Sequence, residues 1–177
     1  MRRIVIIGTT GSGKSTLAGA LARRIGAAVI EPDALHWTTN WQGVPDEVFR
    51  GRVDEATRAE CWVFGGNYSK ARDLVWARAD TIIWLDYAFP LVLWRLFRRT
   101  VARAASQEDL WNTGNRETWR TQFLSRDSLF IWAVKTHWRY RSSIGQALSQ
   151  PEYAHLTLFR FTSPLQTARW LESVAPG

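Results

Sequence analysis

The chain is poor in several residue types, and each shortage excludes something. Among 177 residues there is one cysteine, one methionine and three lysines, Lys14, Lys70 and Lys135. A lone cysteine, Cys61, allows neither an intramolecular disulfide nor a thiolate metal cluster. Apolar runs are too short or too interrupted to span a bilayer. No internal repeat, low-complexity tract or Pro/Gly linker divides the chain, so a single domain over 1–177 is expected, with enough apolar residues for a full core. Neither a secretory leader nor a membrane partner is expected, and the expected location is cytoplasmic. The net charge is nevertheless +7. With so few lysines, that charge is arginine spread along the whole chain. Arginine forks suit phosphate groups. Neither a basic tail nor a helix-turn-helix or zinc-finger pattern supports nucleic acid as the partner.

What is present starts at residue 8. Gly8-Thr9-Thr10-Gly11-Ser12-Gly13-Lys14-Ser15 matches G-x-x-x-x-G-K-[ST], the phosphate-binding loop. Glycines let backbone N–H groups approach an anion without a Cβ in the way. These N–H groups then form a nest at the positive end of the following helix. Lys14 supplies a charge to the β- and γ-phosphates, and the Ser15 hydroxyl is a hard ligand suited to Mg²⁺. Thr10, Gly11, Ser12, Gly13, Lys14, Ser15 and Thr16 are therefore nucleotide-binding candidates. The context agrees: an apolar run over 2–7 reads as a buried strand, and Leu17, Leu21 and Ile25 recur at helical spacing up to Gly26. A glycine turn that binds nothing has no need of Gly13, Lys14 and Ser15 at these offsets.

The rest of the chain alternates. Strands are expected at 27–30, 62–64, 81–85 and 156–161. Helices are expected at 46–60, 69–79, from Phe89-Pro90 to about Arg103, over 116–140, and from Ser163-Pro164-Leu165-Gln166, a capping-box start. Residues 104–115 read as a loop. Such alternation implies an α/β protein with a parallel sheet covered on both faces. Ligands of such sheets lie at the carboxyl ends of strands. That singles out Asp33, His36 and Trp37 after the second strand, Gly66, Asn67 and Tyr68 after the third, and Asp86 after the fourth. Arg95 and Arg99 share one helix face.

These segments resemble the nucleoside-monophosphate-kinase-like branch of P-loop proteins, which includes adenylate, shikimate and gluconate kinases. Asp33–Trp37, Gly66–Tyr68 and Gly114–Glu117 are similar to segments of small adenylate-kinase-like proteins labelled DNA topology modulation proteins. The resemblance implies a three-layer α/β/α P-loop NTPase fold, with a five-stranded sheet in the order 2-3-1-4-5. It also implies an acceptor-binding subdomain near 33–60 and a short lid near 104–120. By the same resemblance, lid arginines Arg116 and Arg120 reach the transferring phosphate. Arg95 and Arg99 match arginines that cover the base or reach phosphate. One departure stands out: Gly65-Gly66 replaces an Asp-Gly pair, so a carboxylate near the metal is missing.

A neutral alcohol must lose a proton as it attacks phosphorus, and a carboxylate can accept it. Asp33 is expected in that role, against the alternatives of a helix cap or a residue behind the magnesium. His36 is an acceptor ligand or a packing residue. Trp37 and Trp41 lie in a loop-like segment and form either a platform for a ring-bearing acceptor or a cap on the core. Arg50 and Arg52 hold an anionic acceptor or lie on a solvated face. Asp86 is a metal ligand or a simple turn residue. The expected activity is an ATP- or GTP- and Mg²⁺-dependent kinase acting on a hydroxyl of a small ring-bearing acceptor, such as a nucleoside or nucleoside-like antibiotic. An antibiotic-resistance role is included in that expectation. The alternatives are a nucleoside-monophosphate kinase and a regulatory or DNA-associated NTPase. Monomer and homodimer both remain open.

Overall fold

The computed structural model describes residues 1–107, 109–111, 113–116 and 129–177. Five strands, β1 (Arg3–Gly8), β2 (Ala28–Ile30), β3 (Trp62–Gly65), β4 (Thr81–Leu85) and β5 (Thr157–Phe161), form one sheet in the order β2-β3-β1-β4-β5. Every pairing is parallel. This is the sheet order expected from the resemblance.

The strand sequences show why both faces are covered. Ile4 and Ile6 of β1, Val63 of β3, and Ile83 and Leu85 of β4 face one layer. Leu17, Leu21 and Val174 meet them there, the first two from helix α1 (Lys14–Ile25). The residues between them, Val5, Ile7, Phe64, Ile82 and Trp84, face the opposite layer. That layer holds Phe49 and Val53 of α3 (Asp46–Ala56), Val75 and Trp76 of α4 (Arg72–Arg78), and Ile144 of α6 (Leu129–Leu148). Period-two alternation thus divides an uninterrupted apolar run between two cores.

Helix ends follow local chemistry. Gly26 takes φ 67° after α1, and its N–H bonds the Ala22 carbonyl. At α7 (Pro164–Ser173) the Ser163 hydroxyl accepts from the Gln166 N–H, as expected for a cap. Gln166, however, reaches back to the Thr162 N–H at 3.0 Å, so the box is displaced by one residue.

Several boundaries differ from expectation. The helix expected over 46–60 ends at Ala56, where the Thr57 hydroxyl bonds back to the Val53 carbonyl at 2.8 Å. Residues 104–106, expected as loop, continue α5 (Phe89–Ser106), which stops at Gln107 with φ 50°. Pro32 opens a short helix α2 (Pro32–His36) that was not among the expected helices. Of the helix expected over 116–140, residues 117–128, with Arg120, lie outside the described residues. The described helix there extends to Leu148. Among the described residues no helix is long and apolar enough to cross a membrane.

Candidate functional site

The carboxyl edge of the sheet opens into one large cleft of about 1330 Å³. Its floor is the phosphate loop between β1 and α1. Gly11 has φ 85°, and a Cβ there would lie 2.7 Å from the Val92 carbonyl oxygen, so the loop can press against α5 only as glycine. Gly13, at φ 97°, precedes α1, and its side is without a capping side chain. The first-turn N–H groups of that helix are therefore free of side-chain caps and suited to an anion.

Lys14 folds over this loop, donating to the Gly8 carbonyl at 2.8 Å and the Thr9 carbonyl at 3.1 Å. Burial pulls its pKa down to about 8; Asp33 opposes the shift and Arg99 adds to it. Arg95 donates to the Ser12 carbonyl at 3.3 Å and lies over the Tyr87 ring, and Arg95 and Arg99 both line the cleft. Thr10, Ser12, Ser15 and Thr16 line it as well.

Opposite the phosphate loop stands Asp33. It is the single carboxylate among the described lining residues. The Tyr68 hydroxyl donates to its Oδ1 at 2.6 Å, and burial together with this carboxylate raises the Tyr68 pKa strongly. Tyr68 therefore stays a donor at any ordinary pH and fixes one oxygen of Asp33. Gly66 permits this approach, because a Cβ there would sit 2.2 Å from Pro32 Cγ, next to Asp33.

His36 packs edge-on against Trp37 and Phe49, and its Nδ1 is buried without a hydrogen-bond partner among the described residues. Burial, with Lys70 nearby, lowers its pKa; Asp33 and Asp46 oppose that shift. It lines the cleft beside Trp37 and Tyr68. Trp37 and Trp41 line the same end, 5.9 Å apart between centroids.

Several expected residues are placed elsewhere. Asp86 is not a cleft residue: its carboxylate is buried and gripped by Arg141, with Nε 2.8 Å from Oδ1, and by Arg160, with Nε 2.9 Å from Oδ2. Both oxygens are taken by guanidinium groups, so the metal role expected of Asp86 is withdrawn. Arg50 is spent in a bidentate pair with Asp73 at 2.8 and 2.7 Å, on the surface and away from the cleft lining. Arg52 donates to the Leu35 carbonyl at 2.9 Å. Asn67 lines the cleft, but its amide holds Gly8 by both the N–H and the carbonyl. It braces the start of the phosphate loop. Arg116 is exposed and is not among the lining residues.

The sequence reading missed three contributors. Arg103 and Lys135 line the cleft from α5 and α6. Arg103 was legible as the next residue on the Arg95–Arg99 face. Trp111 joins the aromatic end, and nothing in local spacing marks it; beside it lies Asn115, within the Gly114–Glu117 segment that carries the resemblance.

Cleft and fold together place the chain in the α/β/α fold of small P-loop kinases, with the phosphate loop at the carboxyl edge of the sheet. The sequence profile of the ATPase family associated with various cellular activities (AAA) matches residues 4–86, the stretch holding the phosphate loop. No curated protein matches the sequence. Solved structures do. Shikimate kinase from Acinetobacter baumannii, in complex with shikimate, superposes with a TM-score of 0.57 at 16% identity, covering 97% of this chain and 92% of that one. Shikimate kinase from Bacteroides thetaiotaomicron gives 0.55 at 18% identity, with 97% and 94% covered. Deoxyadenosine kinase from M. mycoides, with products dCMP and a flexible dCDP bound, gives 0.50 at 13% identity, with 96% and 94% covered. At these identities the likeness is one of fold.

Proposed function

We propose that the chain is a small-molecule kinase that moves the γ-phosphate of ATP or GTP to a hydroxyl of a ring-bearing acceptor, such as a nucleoside or nucleoside-like natural product. The observation that carries this reading is the shared cleft: Lys14 on the phosphate loop and Asp33 face each other closely enough to interact electrostatically. A phosphate acceptor is already an anion and needs no base, whereas an alcohol does.

The phosphate loop and α1 bind the triphosphate. Lys14, Arg95 and Arg99 stabilise the charge that shifts on the transferring group. The Asp33 oxygen not held by Tyr68 orients the acceptor hydroxyl. As the acceptor oxygen bonds to phosphorus, its proton passes to Asp33, and the bond to the diphosphate breaks. Magnesium fits the donor set through the Ser15 hydroxyl and the phosphate oxygens, and when bound it neutralises phosphate charge. Asp33 lies in the same cleft, whereas Asp86 does not.

The test is transfer of radiolabelled γ-phosphate to a panel of nucleosides, nucleotides, sugar acids and nucleoside antibiotics, with Asp33→Asn alongside. The expected outcome is phosphate on an acceptor hydroxyl. In Asp33→Asn, kcat should fall about 10²–10⁴-fold while triphosphate affinity is kept. Turnover of monophosphates alone, insensitive to this substitution, would make the protein a nucleoside-monophosphate kinase. Hydrolysis with no acceptor, together with salt-sensitive DNA binding, would make it a regulatory NTPase.

A further inference from the structure

Two loops far apart in sequence are fastened to each other at the aromatic end of the cleft. Asn115 is buried. Its Oδ1 accepts from the Trp41 N–H at 2.9 Å, and its Nδ2 donates to the Thr38 carbonyl at 2.7 Å. A second tie runs from the Trp111 indole N–H to Glu31 Oε2 at 3.2 Å. Trp111 meets Trp41 edge to face, with centroids 6.1 Å apart and planes at 90°. Trp37, Trp41 and Trp111 all line the cleft, and Trp41 is still 39% exposed.

Backbone conformation marks the same place. Four non-glycine residues have positive φ among those described, and three of them are here: Asn40 at 57°, Trp41 at 56° and Trp111 at 58°. A bulky side chain is rarely found in that region, and holding it there costs folding energy. Indoles recruited only for packing would be buried; these are instead held in a costly conformation with a surface left toward the cleft.

We infer that Trp111 and Asn115 complete an acceptor-ring subsite. Trp37, Trp41 and Trp111 are its walls, and Asn115 is a positioning residue that locks them together without touching the ligand. The ligand class is a flat aromatic or heteroaromatic ring carrying an alcohol, of the size of a nucleoside. The Glu31 bond fixes the tilt of the Trp111 ring. This rests on the kinase reading for its alcohol, but ring binding itself requires no phosphoryl transfer.

The test uses the full chain without triphosphate, titrated calorimetrically with adenosine, guanosine, cytidine and uridine, and with ribose as the ring-free probe. At least one nucleoside should bind roughly tenfold or more tightly than ribose. Trp111→Ala and Asn115→Ala should each remove roughly tenfold of that affinity, and Trp111→Phe less, while ATP affinity stays unchanged in all three. Should an alanine variant lose ATP binding as well, it has lost its fold, and Trp111→Phe and Trp111→His then carry the measurement. Nucleosides binding no better than ribose, or Trp111 variants binding like wild type, overturn the subsite. Ring binding without Asp33-dependent transfer would sink the kinase reading and keep the subsite. Asp33-dependent transfer to an acceptor without a ring would do the reverse.

Discussion

The two ends of the cleft are built by opposite means. The phosphate end is made of backbone: glycine N–H groups, a helix start without a side-chain cap, and one lysine held by the carbonyls of Gly8 and Thr9. The acceptor end is made of side chains that meet across long loops, with Tyr68 on Asp33, Trp111 on Glu31 and Asn115 on Thr38. A backbone site can recognise only what every nucleotide shares. A side-chain site can be rebuilt for a new acceptor without disturbing the first, and the ties between its loops supply the rigidity that strands supply at the phosphate end.

Beside the loss expected of Asp33→Asn at the acceptor end, the largest effect at the phosphate end comes from removing the lysine embedded in its backbone. Lys14→Ala should lower kcat by about 10²–10³-fold, the usual consequence of losing one stabiliser of developing charge. Nucleoside affinity in the absence of triphosphate should be untouched. Loss of both would show that the two ends are a single coupled site, and the contrast drawn above would break.

Gly65 and Gly66 sharpen the boundary. They are neighbours in sequence, yet a Cβ at Gly65 would rest 3.4 Å from Ala18 Cβ, an ordinary contact, while one at Gly66 would lie 2.2 Å from Pro32 Cγ. Gly66→Ala should destabilise the protein by about 1–3 kcal/mol through overpacking. It should also lower kcat by displacing Pro32 and Asp33. Gly65→Ala should change the melting temperature little. Equal effects at both positions, measured by thermal unfolding and initial rates, would mean that Gly66 does not set the position of Asp33.

Asp86 tests where the phosphate end stops. Its buried carboxylate ties β5 and α6 to the end of β4 through Arg160 and Arg141. Both arginines are about half exposed, so after Asp86→Ala they can turn to water, and the loss of charged hydrogen bonds should cost about 2 kcal/mol. ATP affinity and the Mg²⁺ requirement of the folded variant should not change. A raised Mg²⁺ requirement, followed through activity against magnesium concentration, would return Asp86 to the metal site.

How much of this was written in the sequence follows the same division. The alternation of strands and helices, the phosphate loop and the cap at Ser163 depend on period, spacing and turn chemistry within a few residues, and all three were legible; the sheet order followed from the resemblance. The place of Asp33 in the cleft was legible too, because the end of β2 is a place where chemistry gathers in such sheets. Asp86 and Arg50 were misplaced because residue type and position do not reveal partners: Arg160 lies 74 residues from Asp86, and Asp73 lies 23 from Arg50. The partners of Trp111 and Asn115 were invisible for the same reason, being 80 and 77 residues distant, although Asn115 itself lies in the resembling Gly114–Glu117 segment.

The smallest expected effect is a proton. Burial holds the Lys14 pKa at about 8, below its ordinary 10.5. Between these two values the unfolded chain binds more protons than the folded one, so this group's contribution to stability rises with pH across that window; below pH 8 its burial penalty is fully present. A triphosphate reverses the balance at the site by making the charged lysine the favoured form. Nucleotide binding at pH 8 should therefore take up about half a proton, falling toward zero near pH 6. The affinity for ATP should weaken from pH 7 to pH 9, while kcat, measured with Lys14 already charged in the complex, stays level. Calorimetry in two buffers of different ionisation enthalpy reads the uptake directly. An uptake that persists in Lys14→Ala would assign the proton to another group and leave the acceptor end, with the His36 pKa lowered by burial, as the place to look.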